Sequence, residues 1–146
     1  MKLGRIGIWL SVALVGFFAA CRHAAPIPAV PDGYIELKAG TTVPVIDGIS
    51  VVVDTAGISY CPKPVICLVP NSVHASIRLV KAQSSQRVRL FDLLTGTVYR
   101  PNEINRTDSI RLDLAGQSYK VILKGQYLGE VDGQSTGRPI LLVSRL

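Results

Sequence analysis

Cys61 and Cys67 enclose the five residues Pro62-Lys63-Pro64-Val65-Ile66. Two cysteines at such a distance can form a disulfide, contribute to a metal site, or act as a redox dithiol. A metal site needs about four ligands, and the only histidines are His23 and His74. Redox pairs normally hold two residues between their cysteines. The spacing therefore points to a structural disulfide closing a hairpin loop, with two free buried thiols as the alternative. Pro62 and Pro64 stiffen the loop and keep it out of any strand ladder. Lys63, Val65 and Ile66 would then form a fixed tip, part basic and part apolar.

A second constellation is basic. Arg78, Lys81, Arg87, Arg89, Arg100, Arg106 and Arg111 stand against Asp92, Glu103 and Asp108 over residues 78–111. Arg78, Arg87, Arg89 and Arg111 alternate with apolar neighbours, so all four fall on outward positions. If their strands adjoin, they make one basic sheet face, and with Lys63 they are the candidate partner-binding residues. The plainer alternative is an ordinary solvated face. Catalytic patterns are scarce: the chain has no His-Glu-x-x-His and no phosphate-cradling glycine loop. His74 alternates with core positions and reads as a surface histidine. Asp108 and Asp113 flank one strand without an evident partner. The chain is read as non-enzymatic, with no catalytic residues, no cofactor and no metal.

The third cysteine, Cys21, follows Lys2, Arg5 and a 15-residue uncharged run from Ile6 to Ala20. That run is short for a membrane span of about 20 residues and suits the core of an export signal, ~7–15 residues after a basic start. An uncleaved anchor is the alternative, with Trp9, Phe17 and Phe18 at the interface. An ordinary signal peptidase wants small residues at the last and third-last positions, which only a cut after Cys21 itself meets tolerably. Phe18-Ala19-Ala20-Cys21 resembles the bacterial lipobox: an apolar residue, two small ones, then the cysteine that receives lipid. Phe18 stands where Leu, Val or Ile is usual. The resemblance covers about 21 residues and implies cleavage before Cys21, lipidation of Cys21 and a bacterial cell-envelope location. It also implies the outer membrane, facing the periplasm, because Arg22 replaces the Asp that usually marks inner-membrane retention. A soluble periplasmic or secreted chain is the alternative. Lipidation of Cys21 would leave Cys61 and Cys67 as a pair, which suits an exported protein.

These residues need elements to hold them, and the chain reads as strands. Val73, Ala75, Ile77 and Leu79 alternate with His74, Ser76 and Arg78; Val88 and Leu90 alternate with Arg87 and Arg89. Ile110, Leu112 and Leu114, then Tyr119, Val121 and Leu123, do the same against polar neighbours. Period two with one polar side is the pattern of antiparallel sheet over a core. Further strands are expected at Tyr34–Lys38, Ile49–Asp54 and Ile140–Ser144. Turns are expected at Ala115-Gly116-Gln117, Lys124-Gly125-Gln126, Asp132-Gly133 and Pro101-Asn102. The pattern slips phase near Val80 and at Phe91, where bulges would fit. The expected fold is all-β, an antiparallel β-sandwich or small barrel of about seven to eight strands.

The expected organisation is a signal peptide at 1–20, a lipidated cysteine with a proline-rich tether at 21–33, and a single β domain at 34–146. Pro26, Pro28 and Pro31 make the tether a semi-stiff extended spacer. Removing 20 residues from 146 leaves 126, with 14 basic residues against 10 acidic ones, near +4. That modest excess, with no basic tail, argues against nucleic acid and leaves an anionic membrane surface or an acidic partner. The terminal Ser144-Arg145-Leu146 resembles a variant peroxisomal address, against which the leader argues. The functional expectation is a non-enzymatic envelope lipoprotein whose β domain binds another envelope or secretion component. The alternative is a periplasmic ligand-binding or enzyme-inhibitor module using the 61–67 loop.

Overall fold

The computed structural model describes residues 26–67, 71–94 and 108–146. Cys21, Arg100, Arg106 and the Pro101-Asn102 turn lie outside the described residues. Eight strands follow in chain order: β1 (Tyr34–Glu36), β2 (Thr42–Pro44), β3 (Ser50–Ser59), β4 (Ser72–Lys81), β5 (Ser84–Leu93), β6 (Asp108–Leu114), β7 (Gln117–Val131) and β8 (Gln134–Arg145). They form two antiparallel four-stranded sheets, ordered β1-β8-β7-β6 and β2-β3-β4-β5. The sheets stay separate, so the fold is a sandwich and not a barrel.

The period-two alternation builds the core directly. Val73, Ala75, Ile77 and Leu79 of β4 are buried, as are Val121, Leu123, Leu141 and Val143 of the facing sheet. Each of the Val, Leu and Ile side chains among them, fully buried, contributes about 1.5–3 kcal/mol. Among the described residues Tyr119 is the largest fully buried side chain. Its hydroxyl accepts from Lys81 Nζ at 2.7 Å and donates to Asp47 Oδ2 at 3.4 Å, which satisfies the one polar atom it brings inside. Ile110, expected inside, is 38% exposed near the open start of edge strand β6.

Two turns match the sequence. Ala115-Gly116 and Asp132-Gly133 are two-residue hairpin loops with both central residues at positive φ, the geometry that fits the twist of the flanking strands. The turn expected at Lys124-Gly125-Gln126 does not exist: β7 runs unbroken from Gln117 to Val131. Gly125 faces inward opposite Pro139, and a Cβ there would lie 3.1 Å from Leu94 Cδ2 and 3.2 Å from Ile58 Cδ1. Glycine serves close packing at this position, not chain reversal. β8 correspondingly begins at Gln134, not Ile140, and β3 continues to Ser59.

The bulges expected near Val80 and Phe91 are also absent. The β4–β5 register is regular from Ser72↔Leu93 to Lys81↔Ser84. The alternation holds there while residue character inverts, with Phe91 outward at 53% exposure and Asp92 buried at 7%. The register instead shifts between Val53 and Thr55 in β3 and between Tyr127 and Gly129 in β7.

Residues 26–33 do not stand away from the sandwich as a free spacer. Pro28 O accepts from the Arg138 guanidinium and Ala29 O from Gln126 Nε2 at 2.8 Å. Arg138 is held in turn by Gln126 Oε1 at 2.8 Å and Glu36 Oε2 at 3.2 Å. Beside them Ile140 is 1% exposed yet lies outside the main core cluster, on the face that this strap crosses. Among the described residues no helix is long and apolar enough to cross a membrane.

Candidate functional site

Three of the four candidate arginines share the outward face of the β2–β5 sheet. Arg78 on β4 sits directly opposite Arg87 on β5, and Arg89 is one step along, opposite Ser76. Two guanidinium groups at paired positions repel unless a carboxylate intervenes. The β3 bulge supplies it. Val53 faces the core, and so do Ala56 and Ile58 beyond the shift, so Asp54 and Thr55 both face out. Asp54 Oδ1 lies 3.4 Å from Arg78 and Oδ2 lies 3.5 Å from Arg87 Nε. With the arginine side chains 42% and 60% exposed, these pairs orient the groups more than they stabilise the fold. Asp54 is the one acid among the outward residues of the β2–β5 strands, so the patch keeps net positive charge.

Next to the arginine pair, Thr55, His74, Ser76 and Arg89 line an open depression of about 370 Å³, with Ala75 and Leu90 at its floor. The imidazole of His74 lies over Gly57, where a Cβ would come within 3.0 Å of His74 Cε1. Phe91 follows in the same row, paired across from His74. Guanidinium, imidazole and hydroxyl groups on a flat face can bind carboxylate or other anionic groups of a partner. Among the described residues no group of three or more His, Cys, Asp or Glu side chains could hold a metal ion. Asp54, Thr55, Ser76 and Phe91 were not expected at the site. The Asp54 contact depends on a bulge that leaves no mark in the local alternation.

Arg111 departs from the expectation. It lies on β6 in the other sheet, exposed and opposite Lys120. Its strand is not a neighbour of β4 or β5 in either sheet, so Arg111 points outward as expected but does not adjoin the other three. The expected four-arginine face is therefore a face of three.

Lys63 sits apart, at one end of the sandwich. Cys61 and Cys67 are joined by a disulfide with Cα atoms 5.8 Å apart, and Asn71 Oδ1 accepts from the Cys61 amide at 2.7 Å. The loop so held places Lys63 Nζ 2.7 Å from Glu130 Oε1, just before the β7–β8 turn. The hydrogen bond to Glu130 and its negative charge raise the Lys63 pKa above the ordinary 10.5. Val65 and Ile66 project from the same loop, 60% and 93% exposed, and Val131 beside Glu130 is 59% exposed. The tip is thus apolar with an internally paired charge.

No protein-family model, no curated protein and no solved structure matches this chain.

Proposed function

We propose that the protein is a non-enzymatic lipoprotein of the bacterial envelope, anchored in the outer membrane through lipid on Cys21, whose sandwich binds another envelope component. The observation that carries the reading is cysteine pairing. Cys61 and Cys67 bond to each other, so Cys21 is the cysteine left over. It stands directly after an apolar run in the lipobox-like order Phe18-Ala19-Ala20-Cys21. An exported protein that keeps an odd cysteine needs a use for it, and acylation is one.

The partner surface in this reading is the outward face carrying Arg78, Arg87, Arg89 and the His74 depression. It is rigid, because each side chain stands on a strand whose alternate residues are locked in the core. Its charge selects an acidic partner and speeds encounter more than it deepens affinity. Retention of partners from detergent-solubilised envelope tests it, comparing the native chain with Arg87→Glu/Arg89→Glu. The expected result is a stable membrane-associated partner with the native chain, lost or weakened with the variant and less salt-dependent. Equal retention by both returns the face to ordinary solvated charge.

A further inference from the structure

The end of the sandwich formed by the disulfide loop and the β7–β8 turn groups three strongly exposed branched apolar side chains. Ile66 is 93% exposed, Val65 60% and Val131 59%, and the Lys63–Glu130 contact holds their two segments side by side. Exposed apolar clusters on an otherwise polar sandwich mark a contact surface. What covers this one is indicated by the path of the strap.

Tyr34 pairs with Leu142, and its amide donates to Pro31 O at 3.0 Å, so the chain reverses just before β1. Upstream of that reversal, Ala29 and Pro28 are fixed at Gln126 and Arg138, which pair across β7 and β8. Arg138 lies four residues nearer the β7–β8 turn than Leu142, about 13 Å along a strand. Read toward its N-terminus, the strap therefore runs toward the apolar end, and Ile27, the residue before Pro28, is 72% exposed. Cys21 precedes Pro26 by five residues, which reach at most about 18 Å.

We infer that this end of the sandwich rests on the phospholipid surface that holds the Cys21 acyl chains, with Ile66, Val65 and Val131 inserted at the headgroup boundary. The inference rests on the lipid anchor proposed above and adds the orientation of the domain. A short docked strap confines the apolar tip to the interface, where branched side chains gain by leaving water. Lys63, on the same loop, sits at headgroup depth with its ammonium already paired to Glu130, so no unpaired charge is carried into the apolar contact. The arginine face of the β2–β5 sheet then stands on the side of the domain, upright and open.

Tryptophan fluorescence tests this cleanly, because the chain's single tryptophan is Trp9 in the leader. Ile66→Trp, and as a control Leu146→Trp, would be purified as processed full chains and reconstituted into phosphatidylethanolamine–phosphatidylglycerol vesicles with brominated acyl chains. Leu146 is 57% exposed at the far end, its amide bonded to Ser118 O. The expected result is blue-shifted emission and loss of most fluorescence for Trp at 66, with neither at 146. Flotation of the vesicles reports the anchor separately. A chain that floats with unquenched fluorescence from position 66, or with equal quenching at both positions, overturns the orientation and leaves the anchor standing. A chain that does not float contradicts the anchor and takes the orientation with it.

Discussion

The Cys61–Cys67 loop is small, with a sequence separation of six, and its half-exposed rim gives it little hydrophobic support. Closing it restricts the unfolded chain, which is worth about 2–3 kcal/mol for a loop of this order. Cys61→Ser/Cys67→Ser should therefore lower unfolding free energy in denaturant by that amount. Alkylation without reductant should find no free thiol at either position, and labelling of both would contradict the bridge. The Lys63–Glu130 pair behaves differently because it is solvated. Its contribution is complete below the ordinary lysine value of 10.5 and is lost as pH rises through the higher value that Glu130 imposes in the folded protein. Glu130→Gln should return the Lys63 titration, followed by NMR, toward 10.5; an unmoved titration would mean the contact does not persist in solution. Near neutral pH the pair should be insensitive to pH.

Gly125 shows how an element can be misread while its residues are read correctly. Lys124-Gly125-Gln126 has the composition of a turn, yet Ile58 and Leu94 fill the space where its Cβ would stand. Gly125→Leu should cost about 1–3 kcal/mol by overpacking, with part recovered when Leu94→Ala is added. Urea denaturation checks both, and a neutral Gly125→Leu would refute the packing account. Gly137, where a Cβ would run into Tyr60 Oη, should resist substitution for the same reason. Strand parity was legible because alternation depends only on neighbouring residues: Val73 to Leu79 and Tyr119 to Leu123 point where they should. The β3 bulge was not, since Asp54-Thr55 follows Val51-Val52-Val53 without a local mark and the extra residue is defined only against β4. The inverted pair Phe91–Asp92 looked like a slipped register because polarity, and not geometry, changed sign there.

Which strands become neighbours is a property of the whole chain, and this is why Arg111 could be placed outward but not beside Arg78. The all-β class was readable from period and turns; the choice of sandwich over barrel was not, because it depends on β5 and β6 remaining edge strands of different sheets. Arg87→Glu/Arg89→Glu should leave melting nearly unchanged, since exposed substitutions change stability by about 0.5 kcal/mol or less each. The new glutamate beside Asp54 adds a small penalty. A large drop in melting temperature would contradict the outward assignment. In the arrangement proposed above, anchor, strap and apolar tip act together: the lipid on Cys21 would fix the domain and the arginine face would meet its partner from the side. The anchor is the premise of that arrangement, and radiolabelled palmitate incorporation in growing bacteria tests it most directly. The native chain should be labelled, processed and recovered with the outer membrane, whereas Cys21→Ser should be unlabelled and either unprocessed or soluble. Normal processing and membrane retention of Cys21→Ser, or a native chain without label, would contradict the account.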